Sequence, residues 1–301
     1  MVFDRLKAKR KGTKYLPFEQ DGKIYNLYDM PKGFVIKGNL DLINKGLTKL
    51  PDLSEVVVKG GFSCSFNQLT TLKGAPKEVG GGFRCQSNKL TSLKGAPQIV
   101  GGDFICSYNQ LTSLEGAPEE VGGYFDCSEN KLTSLEGAPQ IVGEEFYCYR
   151  NQLTSLEGAP QTVGEEFYCY RNQLTSLEGA PQTVGGGFHC QSNKLTSLVG
   201  LPQMEESKKI YCDDSLGNKY GFLDTWMYGV SYEQLCESPL YRSETAMNRV
   251  RNKLPQKNIE TKPASTKQQE KVKTKQQEAF ERTNAEFSQW LKDNSAKPTR
   301  E

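Results

Sequence analysis

Residues 143–161 read GEEFYCYRNQLTSLEGAPQ, and residues 164–182 repeat the same letters without a change. The frame of this stretch extends well beyond the two copies. Phe lies five positions before a central Asn, Cys lies three before it, and Leu lies two and five after it. This Asn recurs at a constant interval, as Asn67, Asn88, Asn109, Asn130, Asn151, Asn172 and Asn193. Self-similarity at a fixed period of roughly 20–50 residues is typical of stacked repeat proteins. The sequence therefore predicts a repeat solenoid.

Each part of the frame has a physical role in such a coil. Phe-x-Cys has the two-residue period of a strand, so both side chains point to the same side, and the Leu pair adds two more apolar groups there. The Asn can turn the chain and hydrogen-bond backbone groups, and the Gly-Ala-Pro that follows ends each turn. Turns stacked about 4.8 Å apart then bury one another's apolar edges.

The frame becomes irregular at both ends. Leucines within residues 40–50 copy it ahead of the first full turn, at a slightly wider spacing and with Lys45 in place of the Asn. Ile210 and Cys212 copy it after the last full turn, at the same wider spacing. Repeat arrays need atypical terminal turns that cover their apolar ends. We therefore expect about nine turns between two small α/β caps.

The frame F-x-C-x-x-N-x-L-x-x-L resembles the leucine-rich repeat consensus L-x-L-x-x-N-x-L-x-x-L, over about residues 40–212. The phrase N-x-L-T-S-L is closest to the short bacterial type, which forms the recognition domain of secreted ubiquitin ligases. NKLTSLEGAP followed by VGG-x-F-x-C looks like the repeat proteins of large tailed bacteriophages and giant viruses. The resemblance implies a mostly β solenoid with a parallel sheet of about nine short strands. One departure is Val nine positions before the Asn, with Gly at eight, which predicts a bulge or a Gly-rich bend before the strand.

The resemblance also implies a concave face, lined by the strand residues beside the inward Phe and Cys, on which such proteins bind partners. These positions vary between turns while the frame does not. Tyr and Arg dominate interaction hot spots, and four exposed tyrosines in one group are unusual on a solvated face. The predicted partner-binding residues on this face are Tyr147, Tyr149, Arg150, Tyr168, Tyr170, Arg171, Glu145, Glu166 and His189. The alternative is recent duplication combined with cross-strand aromatic packing.

Candidate catalytic and metal-binding groups are weaker. The cysteines recur in the same phase as the inward Phe, which predicts buried core thiols. Cys212, Asp213 and Asp214 match the Cys-x-Asp nucleophile motif of the ubiquitin ligases, but Cys212 is in phase with that ladder. His189 is the single histidine, and we interpret it as solvated or partner-facing. The sequence therefore predicts no enzyme, no metal and no cofactor.

Composition divides the chain into five segments. Residues 1–38 carry a net charge of +5, residues 249–301 carry +6, and the region between carries −9. A basic start and an N-terminal cap, with a hairpin turning at Asp-Gly, precede the solenoid, which is followed by a C-terminal cap, a polar linker and an amphipathic helix. The expected bounds are 1–38, 39–212, 213–251, 252–278 and 279–301.

The two basic ends offer further binding elements. Phe280, Phe287 and Trp290 recur at helical spacing and predict a helix that binds a partner or mediates self-association. Docking of this helix on the body, or on a membrane surface, is the alternative. The basic residues 4–14 allow nucleic-acid contact, but they fit a soluble, Lys-rich start better.

These observations favour a non-enzymatic module that binds a host or viral protein through the concave face. The resemblance extends this to a phage protein that acts on a host factor, specifically a defence factor. The alternative is a structural component anchored in a larger assembly by its basic arm and C-terminal helix. No apolar run is long enough to span a membrane, and the start lacks the apolar region of a signal peptide. We therefore expect a cytoplasmic location, in the host cytoplasm if the protein is viral.

Overall fold

A computed structural model describes residues 14–202, 204–222 and 229–245. Within these residues the chain forms a solenoid in which each turn contributes one strand to a long front sheet, and eight turns also contribute one strand to the back. The front strands are Leu40–Asp41, Phe62–Ser63, Phe83–Arg84, Phe104–Ile105, Phe125–Asp126, Phe146–Tyr147, Phe167–Tyr168, Phe188–His189, Lys209–Tyr211 and Val230–Ser231. The back strands are Val35–Ile36, Val57–Val58, Glu78–Val79, Ile99–Val100, Glu120–Val121, Ile141–Val142, Thr162–Val163 and Thr183–Val184.

The front sheet confirms the predicted parallel sheet. In the described chain, its first nine strands pair in parallel, each with the strand of the next turn, so that Phe146 pairs with Phe167 and Phe188 with Ile210. The tenth, Val230–Ser231, pairs antiparallel with the ninth. The back strands form two parallel sheets of four. Three residues separate each back strand from the front strand that follows it. Between Val100 and Phe104 the chain bends at Gly101 and Gly102, where the sequence predicts a bulge or a Gly-rich bend.

Identical side chains form continuous ladders in the core. The seven frame phenylalanines are at most 1% exposed, and neighbouring rings stack with centroids 5.1–5.5 Å apart. The frame cysteines are fully buried beside them as free thiols. Burying one such Phe stabilises the fold by about 1.5–3 kcal/mol, so the ladders account for the fixed framework letters.

The frame asparagines form a hydrogen-bonded ladder between the front strands and the Leu segments. Asn109 donates from Nδ2 to the carbonyls of Cys85, Cys106 and Ser107 at 3.1–3.2 Å. Its neighbour's amide oxygen, Asn130 Oδ1, accepts from the Leu111 backbone N–H at 2.9 Å. Backbone groups that a bend would leave unsatisfied in the core therefore find partners in the Asn ladder.

Two positions in each turn have positive φ. The residue before each Asn lies in the left-handed region, including Arg150 at 52° and Arg171 at 53°. The corner glycines also have positive φ, and Gly158 is at 84°. A Cβ at Gly158 would come within 2.5 Å of the Glu136 backbone nitrogen in the preceding turn. The corner therefore requires glycine both for its φ and for the close approach of neighbouring turns.

Both predicted caps contain regular structure in the described residues. Strands Pro17–Gln20 and Lys23–Asn26 form the expected antiparallel hairpin around Asp21 and Gly22, whose φ values of 52° and 70° suit a two-residue hairpin turn. A 3-10 turn follows at Leu27–Asp29.

At the C-terminal end, short α-helices occupy Asp214–Lys219 and Tyr232–Glu237, and residues 239–245 are also helical. Ser231 and Gln234 form a capping box at the start of the second helix. None of the helices in the described ranges is long and apolar enough to cross a membrane. The predicted linker at 252–278 and helix at 279–301, with Phe280, Phe287 and Trp290, lie outside these ranges.

Candidate protein-interaction face

The outward face of the front sheet carries the residues that vary between turns. Because side chains alternate along a strand, Glu145, Tyr147 and Tyr149 point outward while Phe146 and Cys148 point into the core. The copied turn presents the same outward order one strand further on, at residues 166–170. We call this part of the sheet, together with the residues that flank its strands, the aromatic face.

The tyrosines of the aromatic face form stacked columns. Tyr147 and Tyr168 stack with centroids 4.7 Å apart and an interplanar angle of 7°, and Tyr149 and Tyr170 stack at 4.6 Å and 4°. Within each turn the two rings meet edge to face, at 6.3–6.4 Å. This mutual covering leaves the four rings half-buried, which corrects the expectation of exposed tyrosines. Part of each tyrosine stays accessible on the outer side of the sheet.

His189 continues the first column. Its ring stacks on Tyr168 at 4.3 Å and on Tyr211 at 4.2 Å, so both faces of the imidazole are covered. Burial lowers the pKa of His189 to about 4, because the charged form loses solvation. His189 is half-buried, which corrects the solvated part of the expectation and leaves its partner-facing part a prediction. At neutral pH the ring is an uncharged member of the column.

The arginines lie where the strands of the aromatic face end. Arg150 Nη1 is 2.5 Å from Glu129 Oε1 of the preceding turn, and this pairing raises the pKa of the guanidinium. Arg171 is exposed and forms no salt bridge with any described residue. One edge of the face is therefore basic, with one arginine already paired.

The opposite edge is acidic. Carboxylate oxygens of Glu145, Glu165 and Glu166 lie within 4.8 Å of one another. Burial, followed by the negative charges of these neighbours and of Glu144, raises the pKa of the Glu145 carboxyl above its usual value. Like charges therefore lie close together at this edge, outside the apolar core.

A shallow depression of about 480 Å³ opens beside this edge. Its walls combine phenol rings with carboxylates. The lining residues are Tyr124, Asp126, Glu144, Glu145, Tyr147 and Tyr149. Tyr124 meets Tyr147 edge to face at 5.8 Å and extends the aromatic face by one turn.

The candidate nucleophile of the Cys-x-Asp motif is inaccessible. Cys212 is fully buried and occupies the position of the frame cysteines, in the turn where Ile210 replaces Phe. Burial also raises the thiol pKa along the ladder, as at Cys169 and Cys190, which lowers the fraction of reactive thiolate. The Cys212 thiol is therefore not exposed to solvent in this fold.

Sequence reasoning missed two members of the aromatic face, Tyr124 and Tyr211. The signal for Tyr211 was present, because it lies between Ile210 and Cys212, which keep the frame, and so occupies the position of His189 one turn later. Tyr124 occupies the position of Glu145 one turn earlier. Projecting every outward position of the frame, and not only those beside the Cys, would have found it.

Comparison with known proteins adds a structural likeness. No protein-family model matches the chain, and no curated protein matches it. YopM from Yersinia enterocolitica WA-314 is a similar solved structure, with 22% identity and a TM-score of 0.43 over 62% of this chain and 44% of that one. The chain thus corresponds to less than half of that structure's length. With its regular stacked turns, inward ladders and parallel front sheet, the described chain is a leucine-rich-repeat-like solenoid.

Proposed function

We propose that this protein is a non-enzymatic module that binds a partner protein through the aromatic face. The observation that carries the proposal is the pair of stacked columns, in which large rings are fixed on a rigid sheet and remain half-accessible. Preordered aromatic side chains lose little conformational entropy on binding, which favours affinity.

Cross-strand packing alone is the competing explanation for the columns. Aromatic pairs on neighbouring strands stabilise a sheet by about 0.2–1 kcal/mol each, and the stacking of Tyr147 on Tyr168 is of this kind. Packing does not explain why Glu145, Glu165 and Glu166 crowd beside the rings, because like charges at that distance oppose folding. A binding role accounts for both features.

The resemblance of the repeat sequence to repeat proteins of bacteriophages and giant viruses supports a narrower proposal. We propose a bacteriophage or other viral origin, and a host factor, specifically a defence factor, as the partner. We propose a cytoplasmic location, or the host cytoplasm if the protein is viral. The alternative of a structural component anchored by its ends rests on the basic charge of residues 249–301.

Affinity capture from host-cell lysate tests the proposal. One bait is the intact protein, and a second carries Tyr147, Tyr149, Tyr168 and Tyr170 all changed to Ser. A matched control changes the exposed back-surface residues to Ser instead. These are Gln161, Thr162, Gln182 and Thr183.

A partner retained by the intact and control baits, and lost by the tyrosine variant, supports binding through the aromatic face. A partner held equally by all three baits contradicts it. Loss of that partner on deletion of residues 252–301 would then favour the structural alternative.

A further inference from the structure

We propose that the partner segment recognised by the aromatic face is cationic: an extended stretch carrying Lys or Arg side chains, which lie on the tyrosine rings with their charged heads at the acidic edge. The inference rests on the proposed function and specifies its partner. It follows from the charges, the rings and the shape of one surface.

The acidic edge lacks the cations that balance acids elsewhere on the same sheet. Asp103 pairs with Arg84 at 3.1 Å, and Glu129 pairs with Arg150. By contrast, no lysine or arginine in the described chain lies within salt-bridge distance of the acidic edge. That edge consists of Glu144, Glu145, Glu165 and Glu166.

The electrostatic repulsion among these glutamates falls when a positive charge binds between them. Three of the carboxylates converge within 4.8 Å, so a cation placed among them gains from each at once. Glu145 and Glu166 are half-buried, and partial burial limits screening by salt. Charge complementarity therefore favours a cationic occupant over an acidic or neutral one.

The rings select an organic cation. Three of the six residues lining the depression are tyrosines, among them Tyr124 and Tyr147. Stacking covers the Tyr147 face towards Tyr168 and the Tyr149 face towards Tyr170, so a cation would meet the ring faces turned towards the depression. Such a face attracts an ammonium or guanidinium group by about 0.5–1 kcal/mol at exposed sites and more when water is excluded. The alkyl stem of Lys or Arg also covers apolar ring surface. A bare metal ion would use the carboxylates and leave the rings without a role.

The basic edge, at the other end of the strands, favours the same orientation of the cationic side chains. Arg150 and Arg171 lie at the far ends of the strands, so the surface changes from acidic to aromatic to basic along the strand direction. A cationic side chain is attracted to the acidic edge and repelled from the arginine edge. The copied turn at residues 164–182 doubles this surface, which extends the length of segment that can be bound.

Selection from a random short-peptide library against the full-length protein, in about 0.15 M salt, tests the inference. We expect the enriched peptides to share a basic residue. Two charge-matched variants then separate local recognition from net charge. The first changes Glu144, Glu145, Glu165 and Glu166 to Gln. The second changes four exposed glutamates outside the aromatic face to Gln, and these are Glu119, Glu136, Glu157 and Glu178.

The synthetic consensus peptide should lose about tenfold or more in affinity for the first variant, and less than about twofold for the second. Replacing its basic residue by norleucine should give the same loss on the intact protein. Equal affinity for both variants would overturn the inference. Calcium binding without peptide, lost only in the first variant, would assign the carboxylates to a metal ion and would also overturn it.

The same experiments give different results if the cationic inference fails and if the proposed binding face itself fails. Peptides that need the tyrosines but share no basic residue would overturn the cationic inference and leave the binding face in place. Peptides and lysate proteins retained equally by the variant with all four tyrosines changed to Ser would overturn the binding face itself.

Discussion

Replacing Asn130 with Ala tests the role of the Asn ladder in the fold. The Asn130 amide nitrogen donates to the carbonyls of Cys106, Cys127 and Ser128 at 3.0–3.1 Å, and its oxygen accepts from the Leu111 N–H at 2.9 Å. The Asn130 side chain is only 8% exposed, so water cannot replace these bonds without entering the core.

The expected cost follows from which groups keep a partner. The carbonyls of Cys106 and Cys127 still accept from Asn109 and Asn151 in the neighbouring positions of the ladder. The Leu111 N–H loses its acceptor, and an unsatisfied buried donor costs about 1–3 kcal/mol. The weakened carbonyl interactions add about 1 kcal/mol. We therefore expect Asn130→Ala to lower the free energy of unfolding by about 2–4 kcal/mol.

Urea unfolding followed by circular dichroism and tyrosine fluorescence measures this loss. The matched control is Lys131→Ala, because Lys131 is exposed and adjacent, and surface changes usually alter stability by less than about 0.5 kcal/mol. If Asn130→Ala is no more destabilising than the control, the ladder contributes nothing net and the reasoning is refuted. A changed urea dependence would show that the turns no longer unfold together.

The corner glycine, the buried thiols and the stacked histidine can each be tested separately. Gly158→Ala should destabilise the protein by about 2–4 kcal/mol, because the corner has φ of 84° and faces the Glu136 backbone; a loss below about 0.5 kcal/mol by thermal unfolding would contradict this. In the native protein a thiol reagent should modify the partly exposed Cys236 but none of the buried frame cysteines, which should react only in denaturant; native labelling of the frame would contradict their burial. The pKa of His189 falls to about 4 in the folded state. Between about pH 6.5 and 4 the native protein therefore binds fewer protons than the unfolded chain. Stability is lost as the pH falls through that window. At pH 5 the loss should be about 1–2 kcal/mol, and His189→Phe should abolish this part of the pH dependence while it keeps the stack.

The framework of the fold could be predicted from the sequence because each framework letter has one physical role. Phe, Cys and Leu repeat because each packs on its own copy, and Asn repeats because one amide satisfies several backbone groups in two turns. The Val that departs from the leucine-rich consensus forms the back strands, as at Val142 and Val163. The period did not reveal this second set of sheets, because two-residue strands are too short to show alternation.

The aromatic face was only partly predictable. The sequence indicated which side chains point outward, and it identified the copied tyrosines. It did not indicate that His189 would be covered on both faces, because that depends on Tyr211 in a turn whose spacing departs from the regular interval. Nor did it reveal the left-handed residue before each Asn, since Phe66, Ser87 and Glu129 share that φ without sharing a side-chain type.

The paired strands of this front sheet lie closer together along the sequence than the paired strands of most parallel sheets. Front-strand partners from Leu40–Asp41 to Lys209–Tyr211 lie a single turn apart along the chain, about 0.07 of the chain length, a range of relative contact order found in helical bundles. Stopped-flow refolding can test the consequence. We expect folding to begin at any pair of adjacent turns and to extend outward one turn at a time, so that a parallel β protein folds at a speed more usual for local, helical contacts.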